Sequence, residues 1–250
     1  MGGRNGVGYN RRMDKRLLIA VILIGALAGL GFYLYQNIYG PMKPTFGRST
    51  RVMDWIRNPA AHPDWAVRAG VRCAPGAPFI MPTNGLIGYL WGDSFQAGKR
   101  HQGIDIFGGT DIGKTPVIAA YPGLLTRLST WKSAVIVRIP DDPLQPGRQI
   151  WLYYTHMADP NGNSFISHDF PPGTFEKLID AGTLLGYQGN FTGDADNPTG
   201  VHLHFSIVLD DGQGGFRNEL DIANTLDPSP YLGLPLNAGT SDGNVIICGS

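Results

Sequence analysis

The rhythm of apolar and polar positions changes three times along this chain. From Leu17 to Tyr35 the run LLIAVILIGALAGLGFYLY carries no charge over 19 residues, close to the length that crosses a bilayer as a helix. Between residues 36 and 78 the pattern dissolves into turn chemistry, YGPMKPTFG and NPAAHPDWAVRAGVRCAPGAP. One interruption, STRVMDWIRN, reads as a short helix capped at Thr50. From Phe79 onward the chain consists of short runs rich in β-branched and aromatic residues: GLIGYLW, GIDIF, TPVIAAY, GLLTRLS, SAVIVRIP, RQIWLYYTHM, GTLLGYQG and VHLHFSIVLD. Period-two alternation is clearest in AVIVRI and IWLYYTH, and it places every second side chain on one face. One helix is expected, TFEKLIDAG, with Thr174 near its start and Gly182 just past its end. After DPSPYLGLP the remainder reads as a loose tail. The pattern predicts a mostly β protein: a single antiparallel sheet or half-barrel over 79–232, with a tail at 233–250. Before it come a basic N-terminus (1–16), a transmembrane helix (17–35) and a linker (36–78).

Composition supports this. Thirty-five Gly and nineteen Pro among 250 residues, with 16% charged, fit many turns and short strands rather than a helical bundle. The formal net charge is zero but uneven. Arg4, Arg11, Arg12, Lys15 and Arg16 face one acid, Asp14, in the first thirty-five residues, leaving fifteen basic and nineteen acidic residues, a net charge of −4, for the rest. A mildly acidic body argues against nucleic acid as a partner. The basic flank before the apolar run predicts a cytoplasmic N-terminus and an exported body, and Phe32, Tyr33, Tyr35 and Tyr39 suit the far interface. The alternative is a cleaved signal peptide, because ALA at 26–28 resembles a cleavage site; the apolar run continuing beyond it favours an anchor. Either way the body lies outside the cytoplasm, where disulfides form. If Cys73 and Cys248 pair, they close a long loop, nominally worth about 4–5 kcal/mol; the alternative is two unpaired thiols.

Six histidines carry the candidate chemistry. His62 in AAHPDW and His168 in ISHDFPP have loop contexts and read as solvated side chains. His202 and His204 in VHLHF share one face of a strand, while Leu203 and Phe205 face the core. His101 and Asp105 in HQGIDIF lie about 13 Å apart in a straight strand, so joint ligation of one ion requires a bend, which Gly103 permits. His156 ends IWLYYTHM, where alternation puts it on the face of Tyr154, Leu152 and Ile150, a core or rim position by default. Catalytic zinc takes three protein ligands from His and carboxylate and keeps a fourth position open. His101, Asp105 and one of His202 or His204 supply such a set, and two further histidines remain for proton work.

In this order, HQGIDI, TPVIAAYPG, YTHM and GNFTGDADNPTGVHLHFSI resemble the lysostaphin-type zinc metallopeptidases, which cut peptide bonds in peptidoglycan. The blocks span about 130 residues, with LDPSPYL as a further matching turn. The resemblance implies one Zn2+ per domain held by His101, Asp105 and His204. It implies His202 as general base and His156 as a second catalytic histidine that orients water or steadies the oxyanion, with the division between these two left open. It implies zinc-activated water attacking an amide of a peptidoglycan peptide; the apolar run, read as an anchor, is expected to tether this body to the membrane. Three departures stand out: the long IFGGTDIGK loop with Lys114, Val201 in place of a common Pro, and an insertion at 158–180 that is expected to rim the cleft. A competing reading is a catalytically silent wall-binding or hydrolase-activating module; the filling of all five site positions argues against it. A carrier-type β domain, suggested by TPVIAAYPGLLTRL, lacks a lysine at a hairpin tip and leaves the histidines unexplained.

Overall fold

The computed structural model describes residues 15–95, 98–109 and 111–248, and the chain divides into two units after Pro41. In the first, α1 (Lys15–Leu34) and a π-helical turn (Tyr35–Tyr39) carry the apolar run. Leu18–Tyr39, 22 residues, is long and apolar enough to cross a membrane, and none of it is buried. Twenty residues of α-helix rise about 30 Å, the depth of a bilayer's hydrocarbon core. Arg4, Arg11, Arg12 and Asp14 lie outside the described residues.

The second unit is mostly β. After α2 (Gly40–Arg57) come β1 (Ala66–Val67), β2 (Gly85–Tyr89), β3 (Ile104–Phe107), β4 (Pro116–Ile118), β5 (Gly123–Thr126) and β6 (Val135–Ile139). Then follow β7 (Ile150–Thr155), β8 (Lys177–Ile179), β9 (Leu184–Tyr187), β10 (Leu203–Leu209), β11 (Thr225–Leu226) and α3 (Ser229–Leu232). Among the described residues nine strands form one antiparallel sheet in the order β1-β2-β3-β10-β7-β6-β5-β8, with β11 pairing to β10. The expectation of a single sheet needs one addition, a separate β4–β9 ribbon.

Alternation sorts the central strands onto two faces. Ile104, Ile106, Ile150, Leu152, Tyr154, Leu203, Phe205 and Ile207 lie in the main core with Val117 and Leu185 of the ribbon. There the Tyr154 hydroxyl accepts from Ala120 N at 2.9 Å, which satisfies its one polar group. The opposite face carries Asp105, His204 and Thr155 in one row across β3, β10 and β7, because His204 pairs with both Asp105 and Thr155. Phe107 packs beside this row in a second apolar cluster with Leu86 and with Val52 and Trp55 of α2.

Several expectations change. The short helix from Thr50 is α2, which begins ten residues earlier; Thr50 Oγ1 donates to Phe46 O inside it instead of capping it. The segment at 174–182 is not helical. Arg127 N donates to Thr174 O, Glu176 N donates to Thr126 Oγ1, and Glu176 takes a φ of 48°, so the open edge of β5 recruits the chain as β8. The tail is packed: Leu234, Leu236 and Ile246 belong to the core, and Cys248 is bonded to Cys73.

Candidate metal centre

Strand register brings the site together. Asp105 stands directly across from His204, and the bend at Gly103 returns His101 to the same carboxylate. That glycine is fixed by close approach: a Cβ there would lie 2.2 Å from Phe205 O of β10. The candidate ligand atoms His101 Nε2, Asp105 Oδ1 and His204 Nδ1 lie 3.1, 3.0 and 2.9 Å apart in pairs. His202 Nε2 stands farther off, 3.6 Å from Asp105 Oδ1.

His156 reaches the site by leaving the strand. Continued alternation would send it into the core beside Tyr154, as the period-two reading expected. Instead its φ of 73° turns the ring to the cleft side, 4.4 Å from the His202 ring and 6.3 Å from that of His204. An L-residue in this region costs about 1–2 kcal/mol, and non-glycine residues held there cluster at functional sites.

Backbone carbonyls fix three of the four imidazoles. His101 Nδ1 donates to Leu90 O at 3.0 Å, His156 Nδ1 to Phe191 O at 2.6 Å, and His202 Nδ1 to Gly200 O at 2.7 Å. A carbonyl only accepts, so each Nδ1 keeps its proton, and in the neutral ring each Nε2 presents a lone pair. The His202 ring also stacks on Phe107, with centroids 4.9 Å apart.

Electrostatics follow from burial. Desolvation pushes His156 and His204 below the usual imidazole value and takes His202 down to about 4. Burial alone would raise Asp105, but the charges of His101 and His202 and hydrogen bonds from His101 and His204 hold it well below the usual carboxylate range. Burial also presses His101 downward; the Asp105 charge, its hydrogen bond and the Leu90 carbonyl together carry it above normal.

These residues fit a zinc ion. With Nδ1 committed to Leu90 O, the neutral His101 ring turns its Nε2 lone pair toward Asp105 Oδ1, 3.1 Å away, and a cation held between them takes the place of the proton that otherwise bridges the pair. A tetrahedral ion with bonds of about 2.0–2.1 Å spaces its ligands about 3.3 Å apart, close to the observed triangle. Two imidazoles and one carboxylate supply three donors, one fewer than a tetrahedral ion takes.

The cleft above them has a volume of about 630 Å³, walled by Tyr89, Phe95, Phe107, Tyr153, Phe191 and Leu220. Burial raises the Tyr153 phenol to about 12, so it remains a neutral donor. No residue of 158–180 lines the cleft, contrary to expectation. That insertion packs elsewhere, with Ile166, Phe170 and Ile179 in the core and Arg127 bonded to Phe170 O and Ser164 Oγ. His168 is exposed, whereas His62 stacks on Trp65 with centroids 3.8 Å apart and is only half-exposed. Tyr89, Phe107, Tyr153 and Phe191 escaped the sequence reading because nothing in their spacing separates a cleft wall from a core position.

No protein-family model matches the chain, and no curated protein sequence does. Solved structures with a similar fold include the catalytic domain of the antimicrobial peptidase lysostaphin from Staphylococcus simulans, at 21% identity and a TM-score of 0.38, covering 58% of this chain and 90% of that one. A further structure of the antimicrobial peptidase lysostaphin from Staphylococcus simulans matches at 22% identity and a TM-score of 0.40, covering 64% of this chain and 54% of that one. A putative peptidase M23 from Pseudomonas aeruginosa matches at 19% identity and a TM-score of 0.36, covering 67% of this chain and 54% of that one.

Proposed function

We propose that this chain is a zinc-dependent endopeptidase of the lysostaphin type that hydrolyses peptide bonds of peptidoglycan. The observation that carries the reading is the convergence of His101 Nε2, Asp105 Oδ1 and His204 Nδ1 within 3.1 Å of one another, beside two histidines with fixed tautomers. His101, Asp105 and His204 hold the ion. When bound, zinc supplies Lewis acidity toward the scissile carbonyl and makes water a nucleophile at neutral pH.

The remaining work belongs to the protein's own groups. His202 stays neutral at physiological pH, with its Nε2 lone pair available to take a proton from the attacking water and return it to the departing amine. His156, whose Nδ1 proton is committed to Phe191 O, orients the reactants from the other side. The Phe107 stack and the Gly200 carbonyl hold the His202 ring still, so the proton is transferred over a fixed path. In this reading the substrate peptide lies along the aromatic walls of the cleft.

The N-terminal apolar helix serves as a membrane anchor in this reading, with residues 42–250 outside the cytoplasm. Support comes from the exposed 22-residue span and the Cys73–Cys248 bond, which needs an oxidising compartment. The test is digestion of purified peptidoglycan by the zinc-loaded protein, with mass analysis of the released material. New amino termini in peptide fragments are expected, and His202→Ala should abolish them. Intact peptidoglycan, bound but not cut, would favour the silent wall-binding module.

A further inference from the structure

The metal ligand His101 is held by a loop, and that loop is held by α2. The loop runs from Leu90 to Ser94, directly after β2. Its Leu90 carbonyl accepts from His101 Nδ1 at 3.0 Å, its Asp93 carbonyl accepts from His101 N at 2.7 Å, and its Gly92 N donates to His101 O at 2.8 Å. Both the ring and the backbone of His101 therefore take their position from this short segment.

The Asp93 carboxylate ties the loop to α2. Thr45 Oγ1 donates to Oδ1 at 2.8 Å, Arg48 Nε donates to Oδ2 at 2.8 Å, and Arg48 Nη2 donates to Oδ1. Leu90 N donates to the same Oδ2 at 2.8 Å, and Ser94 N closes the circuit by donating to Thr45 Oγ1 at 3.1 Å. Thr45, Arg48 and Asp93 are 1%, 4% and 1% exposed. A buried ion pair of this kind adds little net stability compared with apolar residues of the same volume, because both charges must be desolvated. What a forked, multiply bonded pair supplies is a fixed geometry. The geometry fixed here is that of Leu90, whose amide and carbonyl join Asp93 to the His101 ring.

α2 reaches the other side of the site as well. Val52 and Trp55 pack with Phe107, which stacks on His202, and the Tyr89 hydroxyl in the cleft wall donates to Ser49 Oγ at 3.1 Å. The packed tail braces the loop from a second direction, through Trp91 N to Leu236 O and Ala238 N to Trp91 O.

We propose that Thr45 and Arg48 are positioning residues for the metal site: acting through Asp93 and the Leu90 carbonyl, they hold His101 in its metal-binding orientation. Metal affinity thus depends on the docking of α2, the segment that follows the apolar helix in sequence. The proposal rests on the reading of His101 as a zinc ligand, and the experiment separates the two.

Zinc affinity is measured on the full chain in detergent by competition with a chromophoric chelator, for wild type, Arg48→Met, Arg48→Lys, Thr45→Val and His101→Ala. Leu125→Ala, a core truncation on β5, is the control for general destabilisation. Outer partners of metal-bound histidines typically contribute about 10–100-fold to affinity. Arg48→Met is expected to weaken zinc binding by at least about tenfold and Thr45→Val several-fold, with partial recovery in Arg48→Lys. Leu125→Ala should bind zinc as wild type does while melting at lower temperature. If Arg48→Met does not fold, Thr45→Val, which removes one hydroxyl, decides the matter. Wild-type affinity in Thr45→Val and in any folded Arg48→Met, with binding lost in His101→Ala, overturns the positioning role alone. Absence of zinc binding by wild type, or undiminished binding by His101→Ala, overturns the metal site and this proposal with it.

Discussion

The left-handed backbone of His156 separates two things that a mutation usually confounds, ring chemistry and chain geometry. Asparagine tolerates this region, whereas a β-branched residue does not. His156→Asn should keep thermal stability within about 1 kcal/mol of wild type, while His156→Val should lose a further ~1–2 kcal/mol. Both should lower hydrolysis by about 10²–10⁴-fold, the usual scale of a lost acid–base group. Thermal melts beside initial rates check this, and equal melting temperatures for the two variants would show that the φ of 73° carries no strain. The desolvation that lowers three of the four site histidines gives a pH signature in metal-free protein. His156, His202 and His204 are lowered by burial, His202 to about 4, while His101 is raised and opposes them as one group against three. For the three lowered rings the unfolded chain gains protons first as pH falls, so their contribution is full above about pH 6.5 and declines toward about pH 4, while that of His101 is full below about pH 6.5 and is lost as pH rises through its raised value. Urea midpoints of residues 42–250 in chelator should be lower at pH 5 than at pH 7; a flat profile would mean that these rings are hydrated.

Among the elements, β10 organises the site because it lies between β3 and β7. Gly103 sets how closely β3 approaches it. Gly103→Ala places a methyl against backbone, Phe205 O, which cannot swing aside. The expected result is a loss of about 1–3 kcal/mol in denaturant unfolding, as for other overpacked positions, together with weaker zinc binding. Normal affinity and stability would show that β3 can shift without disturbing Asp105. The three strands and the facing of their residues were legible in the sequence, since period two assigns each residue to a face and puts His202 beside His204; their order in the sheet was not. The course of His156 was not, because alternation carries no information about where a strand stops. The run at 174–182 has the composition of a helix, yet the unpaired edge of β5 competes for its backbone and wins. Asp93, Thr45 and Arg48 gave no sequence signal either: their contacts span 45 or more residues without any periodic pattern.

Across the whole body, chain ends that read as a connector and a loose tail turn out to brace the site. The bond between Cys73 and Cys248 closes a sequence separation of 175 residues and pins the tail that supports Trp91. Replacing both cysteines with alanine should cost about 2–5 kcal/mol in equilibrium unfolding and leave one zinc per folded chain. Unchanged stability would mean that core packing of Leu234, Leu236 and Ile246 holds the tail without the bond. The central claim is that a single zinc held by His101, Asp105 and His204 cuts peptide bonds of peptidoglycan. Titrating the chelator-stripped chain with zinc while following release of peptidoglycan fragments tests it most directly. Activity should be absent at zero zinc, rise in proportion and level off at one equivalent, with His101→Ala inactive throughout. Full activity in the stripped protein, or a His101→Ala titration that matches wild type, would contradict it.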